Sequence, residues 1–393
     1  MNHIISQDLP ILIIGGGLGG FTLAQALRKR GIPFRIFERD DGPETRRQGY
    51  GLALHWILEG LLAEMPDDLP PFEVVSHLHG TDLTCEGALF DAITGKEKTR
   101  FSDFLRADRQ KLRTWLSTNL PIEWGKKFER FEESADAVTV YFADGTSVSG
   151  SILVGADGAN SRVRNQLLGP EKAQLNLIPV DMLVGEVELG KEGYEEQLQF
   201  ARSLWIAEAP VGYIFTGLHS IAKDKASAKY YWMVFRKSKD LTGKVHPYLS
   251  WTKQQLYDAA VETTKLLHPK FANVILKTSP ENMVQPPYVL EDWIPPVDGF
   301  SSDRATILGD AAHKMSPFGG EGGNHAMQDA IDFVKALDGF NGTNPAPLLK
   351  NYEKVTIERG REAVFQNRKK TTDWEHETSA PTWSETYQNG DKE

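Results

Sequence analysis

The chain has 393 residues, 40% hydrophobic and 10% aromatic, which is core material for roughly two or three domains and excludes a disordered or collagen-like chain. Its 54 acidic and 44 basic residues leave a net charge of −10, and no basic block offers the face that a nucleic-acid binder needs to neutralise phosphates. A single cysteine, Cys85, excludes an internal disulfide and any metal site built from cysteines, and points to a reducing compartment.

Residues 1–10 lack a signal-peptide pattern, and the longest apolar runs are strand-sized, far short of the ~20 residues of a membrane span. The expectation is a soluble, cytoplasmic protein with no nucleic-acid and no membrane partner. Ile11–Ile14 reads as a fully buried strand, followed by a turn through Gly15–Gly20 and a helix with Phe21, Leu23, Ala24 and Leu27 on its apolar face. Gly31 suits the left-handed cap that ends this helix, and the strand Phe34–Phe37 finishes at Glu38. Together they make one β-α-β unit of about 30 residues. Asp108 is an N-cap candidate for a helix that buries Leu112 and Leu116 and stops before Pro121.

Strands are expected over 126–131 and 137–142, then a turn at Asp144-Gly145 and strands through Val148 and over 152–154. Between about 180 and 237 the pattern turns β-rich, with strands over 182–187, 203–207, 213–218 and 230–235. The spacing of Leu256, Ala259, Ala260, Thr263 and Leu267 predicts a helix over 252–267. A proline-rich return (Pro280, Pro286, Pro287, Pro295, Pro296) leads to a buried strand over 305–308, a glycine-rich loop and two helices. One helix begins at about Asn324 and the other lies near 347–366; the tail after about Thr371 is polar, although Trp374 and Trp383 could dock. The picture is a nucleotide-binding domain interrupted by a β-sheet domain.

Three glycine motifs carry the chemistry. Gly15-x-Gly17-x-x-Gly20 lies between a strand and a helix, where glycines permit a tight turn and let backbone amides approach a pyrophosphate at the positive helix end. Glu38 stands where an acid would accept hydrogen bonds from ribose hydroxyls. A glycine loop in a hairpin and a solvated strand-end acid are the plainer alternatives. The second motif runs Gly155-Ala156-Asp157-Gly158-Ala159-Asn160-Ser161, then Arg164; a simple strand-to-helix turn would use the same residue types. The third runs Gly309-Asp310-Ala311-Ala312-His313, Pro317 and Gly319-Gly320-Glu321-Gly322-Gly323-Asn324, small enough to lie flush against a flat ligand, with a flexible linker as the alternative.

These three motifs, in this order, resemble the class A flavoprotein monooxygenases, the family of para-hydroxybenzoate hydroxylase and kynurenine monooxygenase. The resemblance covers roughly residues 9–340 and is weakest across 165–295. It implies an α/β fold: a Rossmann-like FAD-binding domain of the glutathione-reductase type, an inserted β-sheet substrate domain and C-terminal helices. FAD-binding parts are expected at 1–72, 101–175 and 289–340, substrate-domain parts at 73–100 and 176–288, a C-terminal helix at 341–372 and a polar tail at 373–393.

The same resemblance assigns roles. Gly15, Gly17 and Gly20 would cradle the FAD pyrophosphate and Glu38 the adenosine ribose; Gly51 would pass the flavin. Arg109, in Arg109-x-x-Leu112, matches the helix arginine that contacts FAD, with an exposed helix-start cation as its plain reading. Asp310 would hold the ribityl chain, Gly322 and Gly323 would offer amides to the isoalloxazine ring, and Asp157 would serve FAD and nicotinamide alike. Glu321 departs from the family, many members of which have Gln there. A single-component monooxygenase is implied, taking NADPH or NADH and O2 and inserting one oxygen atom, through a flavin C4a-hydroperoxide near Pro317–Gly323, into a small aromatic or polyketide-like substrate of the kind found in secondary metabolism. Baeyer–Villiger insertion, epoxidation or dehydrogenation on the same fold, and a redox-silent flavin-bound cyclase, are the alternatives.

For the substrate pocket the candidates are the aromatic-strand residues Trp205, Tyr213, Phe215, Tyr231, Met233 and Phe235, which ordinary sheet packing would equally explain. Arg202, His219 and Tyr231 are the candidate catalytic residues that orient or activate a phenol, with His219 equally suited to a structural role. His313 is expected to order its loop. Arg46 and Arg47 could meet a nicotinamide phosphate or simply be exposed. Nothing in the sequence sets the oligomeric state.

Overall fold

The computed structural model describes residues 5–45, 49–76, 84–102, 104–210, 212–238, 246–340 and 342–372. Arg46, Arg47, Trp374 and Trp383 lie outside the described residues.

The chain opens with β1 (Ile11–Ile14), α1 (Leu18–Arg30) and β2 (Phe34–Phe37), followed by β3 (Gly51–Leu54) and α2 (Ile57–Ala63). β4 (Gly87–Asp91), β5 (Glu97–Phe101) and β6 (Leu105–Asp108) lead into α3 (Arg109–Leu116) and the short β7 (Ile122–Glu123). A meander of β8 (Phe128–Glu133), β9 (Val138–Phe142) and β10 (Ser147–Gly150) precedes β11 (Ile152–Gly155) and α4 (Arg162–Leu168). Next come β12 (Asn176–Leu177), β13 (Val180–Gly190), α5 (Lys191–Phe200), β14 (Leu204–Ala209), β15 (Gly212–Ile221) and β16 (Ser227–Lys237). Helices α6 (Lys253–Thr264) and α7 (Asn273–Leu276), then β17 (Glu291–Asp292), return the chain to β18 (Ala305–Ile307), α8 (Asp310–His313), α9 (Gly322–Ala336) and α10 (Ala346–Thr372).

Two sheets organise the molecule. The first is parallel throughout, in the order β18-β11-β1-β2-β7. Every residue of β1 and of β11 is buried, because layers cover both faces, and this is why these strands read as continuous apolar runs. The second has six strands in the order β13-β16-β15-β14-β4-β5, antiparallel except where β14 meets β4. Residues 87–101 thus join the sheet formed by 180–237, although far from it in sequence. A two-stranded ribbon, β3 with β6, lies between the two sheets, and β3 contacts β15.

Several boundaries follow directly from local chemistry. Asp108 caps α3, accepting the Lys111 amide at 2.9 Å. Thr252 and Gln255 close a capping box on α6, which ends at Thr264 rather than running on to Leu267. Gly31 adopts φ 66° at the end of α1. Within α1, Gly19 and Gly20 forgo about 1 kcal/mol each of helix propensity, and close packing is the return. A methyl on Gly20 would run into the Gly15 carbonyl, and one on Gly19 would lie 2.6 Å from Leu308 and 2.8 Å from the Ala326 carbonyl. No helix among the described residues is long and apolar enough to cross a membrane.

Candidate active site

The three glycine motifs converge on one side of a cavity of about 410 Å³, and the aromatic face of the six-stranded sheet forms the other. Gly17, Gly20, Gly51, Arg109, Gly158, Asp310, Gly322 and Gly323 line the first side. Tyr213, Phe215, Tyr231, Met233 and Phe235 line the second, joined by Phe101, Phe104, Leu204 and Ile206.

Each glycine of the first motif has a separate task. Gly15 takes φ +113° against the Ala156 carbonyl, and Gly20 brings α1 against β1. Gly17 has nothing within 4 Å of the place where a Cβ would stand, so the open side of its backbone faces the cavity. It also caps α1 without any side-chain hydrogen bond, which leaves the first-turn amides available to an anion. Glu38, 3% exposed, accepts the Gly16 amide at 2.6 Å and the Asp40 amide at 3.0 Å, fixing its carboxylate at the end of β2 beside the glycine turn. Gly15 and Glu38 shape this turn from behind and do not themselves line the cavity.

The third motif builds the facing wall. Gly309 sits at φ +63°, and α9 begins at Gly322 with no side-chain cap, its N-terminus bordering the cavity. Gly322 and Gly323 differ in kind: a methyl on Gly322 would have ordinary clearance, 3.8 Å from Met315, whereas one on Gly323 would lie 2.9 Å from Leu52 of β3. Asn324, fully buried, bonds the β3 end from both sides of its amide, donating to Ala53 O at 2.9 Å and accepting His55 N–H at 3.2 Å. Below the loop, His313 pairs with Asp329 at 2.6 Å, Asp329 accepts the Gly309 amide at 2.7 Å, and Arg359 of α10 bridges Asp329 and Asp332. Burial works against a charge on His313, but Asp329 outweighs it and holds the pKa above its ordinary value. His313 therefore orders the loop from beneath and does not line the cavity.

The second motif works as a brace. Asp157 accepts from Ser161 Oγ at 2.5 Å, Arg162 N at 2.7 Å and Val163 N at 3.2 Å, so its carboxylate holds the start of α4 while Ala156 and Gly158 line the cavity. Arg164, 1% exposed, donates to Ala159 O, Asp310 O (3.3 Å) and Ala311 O (3.2 Å), tying the second motif to the third.

Of the three candidate catalytic residues, Tyr231 lines the cavity and the other two do not. Arg202 is exposed on the approach to β14, its amide 3.3 Å from Glu86. His219 lies beyond the cavity, where a register shift at Leu218/Ser220 interrupts β15. Trp205 also departs from the aromatic-pocket expectation: it points to the opposite face of the sheet, donating to Gln197 at 3.0 Å in the core beneath α5, and its strand neighbours Leu204 and Ile206 line the cavity instead.

Besides Phe101, Phe104, Leu204 and Ile206, sequence reasoning missed the lining residues Arg106 and His55, and within the Pro317–Gly323 loop it did not single out Phe318. Arg106, 2% exposed, donates to the Tyr231 hydroxyl. His55 is kept neutral by burial, and secondarily by Lys370, with its pKa lowered to about 4. Phe318, from the loop after α8, packs on Phe235 (centroids 4.6 Å apart) and Tyr213 (5.3 Å), so the glycine-rich wall touches the aromatic sheet directly. For Arg106 a signal existed: it is a charge set between apolar Leu105 and Ala107 in a short strand, three residues before Arg109.

The donor set fits FAD: two uncapped helix N-termini for its phosphates and ring, an acid at the end of β2 for its ribose, Arg109 and Asp310 along its length, and a flat glycine-lined slot. The comparisons agree. Residues 98–367 match the family model described as FAD binding domain, and residues 13–53 match that of an NAD(P)-binding Rossmann-like domain, a unit suited to the ADP portion of either cofactor. The chain is 37% identical over 375 residues to the FAD-dependent monooxygenase thnD of Trichoderma harzianum (92% of each chain). It is 33% identical to the FAD-dependent monooxygenase dbaB of Emericella nidulans, covering 83% of this chain and 86% of that one. Among solved structures, 2,6-dihydroxypyridine-3-hydroxylase from Arthrobacter nicotinovorans shares the fold with a TM-score of 0.77 at 19% identity, over 95% and 94% of the two chains. Klebsiella pneumoniae HpxO complexed with FAD and uric acid does so with a TM-score of 0.73 at 21% identity, over 94% and 89%. This chain belongs to the FAD binding domain family and, within it, to the class A flavoprotein monooxygenases. It is an FAD-dependent monooxygenase that uses NAD(P)H and O2 on a small-molecule substrate.

Proposed function

We propose that the enzyme hydroxylates a small aromatic or polyketide-like substrate held between the flavin-facing glycine wall and the aromatic face of the six-stranded sheet. The observation that carries this is the cavity's two-sidedness: amides, Arg109 and Asp310 on one side, and aromatic rings with the Met233 thioether on the other. FAD, when bound, supplies the redox chemistry that reduces O2 and delivers one oxygen atom. The chain's own part is placement. Tyr213, Phe215, Met233, Phe235 and Phe318 offer flat apolar contact to an aromatic ring and keep water from the reacting edge. The amides of Gly322 and Gly323 and the open backbone of Gly17 would hold the cofactor on the wall opposite that ring.

Arg109 would contact the cofactor, Asp310 would hold its ribityl chain, Glu38 its adenosine ribose, and Gly51 would let β3 pass close to its flavin. Asp157 acts through the α4 turn rather than on either cofactor directly, since three donors already occupy its carboxylate. Arg202 and His219 have no part in this reading. Residues 73–100 and 176–288 form the substrate-side unit, and the remainder of the described chain forms the cofactor-side unit. The cytoplasm, where NAD(P)H is supplied, is the site of action.

The test is a screen of substrate-stimulated NAD(P)H oxidation over phenols, anthraquinones and indoles. Stimulation by at least one polyhydroxylated aromatic, with a hydroxylated product, is expected. Product formed with no NAD(P)H or O2 consumed would instead make the flavin structural and the enzyme a cyclase.

A further inference from the structure

We propose that the part of the cavity floor built by β14, β4 and β5 is an apolar lobe that takes a hydrocarbon chain, so that the substrate is an aromatic ring carrying an aliphatic side chain. This rests on the hydroxylase reading above and names its substrate class.

Strand register lays out the floor. Tyr231 of β16 pairs with Gly217 of β15, Gly217 with Leu204 of β14, Leu204 with Gly87 of β4, and Gly87 with Phe101 of β5. A second row runs from Met233 through Phe215 and Ile206 to Leu89. Tyr231, Met233, Phe215, Leu204, Ile206 and Phe101 all line the cavity, which therefore crosses the sheet from β16 to its edge at β5. Strands lie about 4.8 Å apart, so the crossing is roughly 19 Å wide, far more than one aromatic ring covers.

The chemistry changes along that width. Over β15 and β16 stand Tyr213, Tyr231 and the Arg106 guanidinium, which is seated between Gly51 of β3 and Gly217, where added methyls would stand 2.7 and 2.6 Å from its nitrogens. Over β14, β4 and β5 stand Leu204, Ile206 and Phe101, packed with Phe104 and with Ala53 of β3. The Phe104 ring lies 5.7 Å from that of Phe101 and 6.1 Å from that of His55, which burial keeps neutral. A polar substituent among these apolar side chains would lose its hydration with little offered in return, whereas a hydrocarbon gains from the same transfer.

Gly87 sets the depth of the lobe. Phe101 lies down over it: a methyl there would stand 2.4 Å from the Phe101 ring and 3.1 Å from Leu204. The ring thus covers β4 and closes the far end, leaving about two strand spacings, roughly 10 Å, between Gly217 and that wall. Sheet twist favours a chain over a further fused ring. Adjacent strands rotate by about 20–25°, so the floor turns by roughly 40–50° between β15 and β4. A rigid planar system lying flush with Phe215 would lift away from Leu204 and Ile206, whereas a chain follows the surface by rotating about its bonds.

The experiment measures dissociation constants of FAD-loaded enzyme for 5-methylresorcinol, 5-propylresorcinol and 5-pentylresorcinol, with naphthalene-1,3-diol as the rigid comparator, from the perturbation of flavin absorbance. Burying one methylene is worth about fourfold in affinity, so 5-pentylresorcinol should bind at least about twentyfold more tightly than 5-methylresorcinol. It should also bind more tightly than naphthalene-1,3-diol. Leu204→Trp, which fills the lobe, should bring the pentyl-to-methyl ratio below about threefold, and Gly87→Ala, which displaces the Phe101 ring, should reduce it in part. Affinity that does not rise with chain length, tighter binding of the rigid comparator, no saturable binding of any of the four, or a ratio that survives in Leu204→Trp would overturn the proposal. If Leu204→Trp fails to hold FAD, an unchanged ratio in Gly87→Ala overturns it. FAD content and NAD(P)H oxidation are read in parallel. Enzyme that holds FAD and hydroxylates an aromatic but shows a flat chain series defeats the lobe alone. The expected chain series, in enzyme that forms product with no NAD(P)H or O2 consumed, keeps the lobe and defeats the hydroxylase reading.

Discussion

The Gly319 amide donates to Asn367 Oδ1 at 2.7 Å, joining the loop that forms one cavity wall to the far end of the last helix. Asn367 is fully buried; its Nδ2 contacts Met315 Sδ at 3.6 Å, and Ser316 Oγ reaches Thr371 Oγ1 at 2.7 Å one turn further on. Met315, Ser316, Pro317 and Phe318 all line the cavity, so α10 positions the wall without touching the ligand.

Asn367→Ala should therefore cost about 1–3 kcal/mol, the range for leaving a buried partner unsatisfied. It should also raise the share of NAD(P)H consumption that ends as hydrogen peroxide, because the loop no longer holds its place over the reacting edge. Chemical denaturation and a peroxide assay check the two parts. A stability loss without uncoupling would confine Asn367 to folding.

Two glycines of the first motif should respond oppositely to alanine. Gly20→Ala drives a methyl into the Gly15 carbonyl and should destabilise the apoprotein. Gly17→Ala meets nothing within the protein, so the apoprotein should melt normally while FAD affinity falls at least about tenfold, or 1.4 kcal/mol. Thermal melts of apoprotein together with FAD titration decide the matter. Unchanged FAD affinity in Gly17→Ala would put the pyrophosphate elsewhere.

Arg109→Ala and Asp310→Ala should each lower flavin retention after desalting, while Arg130→Ala, an exposed surface change on β8, should not. Equal retention in all three would mean that the cofactor does not lie along this wall.

Acid stability follows from two histidines, His325 buried and His55 half-buried at the cavity wall. Burial lowers His55 to about 4, with a smaller contribution from Lys370, and lowers His325 to about 3, with a smaller one from His313. Both folded values lie below the ordinary 6.5, so their contribution is complete above pH 6.5 and is lost as pH falls toward 4 and 3. The unfolded chain takes up the protons first, and each histidine adds a slope of at most about 1.4 kcal/mol per pH unit. Urea midpoints should drop between pH 7 and pH 5, and the drop should be smaller in His325→Phe, which keeps a ring beside Trp56. An equal drop would show that other groups govern acid unfolding.

The cofactor wall was legible because its signals are local: a buried strand, a glycine turn and an apolar helix face occur together within a few residues of one another. The substrate end was not, because its geometry is set by pairing across long separations. Arg106 and Tyr231 meet over 125 residues, through a slot that only the folded positions of Gly51 and Gly217 define. Alternation along a strand tells which residues share a face but not which face meets the cavity, and so Trp205 is a pocket candidate and a sheet-packing residue alike until the fold puts it in the core on the far side of β14. Likewise His219 shares the parity of Tyr213 and Phe215 but sits past an irregularity in β15 that no local pattern marks.

The central claim, that bound FAD delivers one atom of O2 to a substrate held against the aromatic sheet, is tested most directly by turnover under labelled dioxygen. With NAD(P)H and an accepted aromatic substrate, mass spectrometry of the product should show one oxygen atom derived from O2 per molecule, and the protein should release FAD rather than FMN on denaturation. Product oxygen derived from water, or turnover by protein that carries no FAD, would contradict the account.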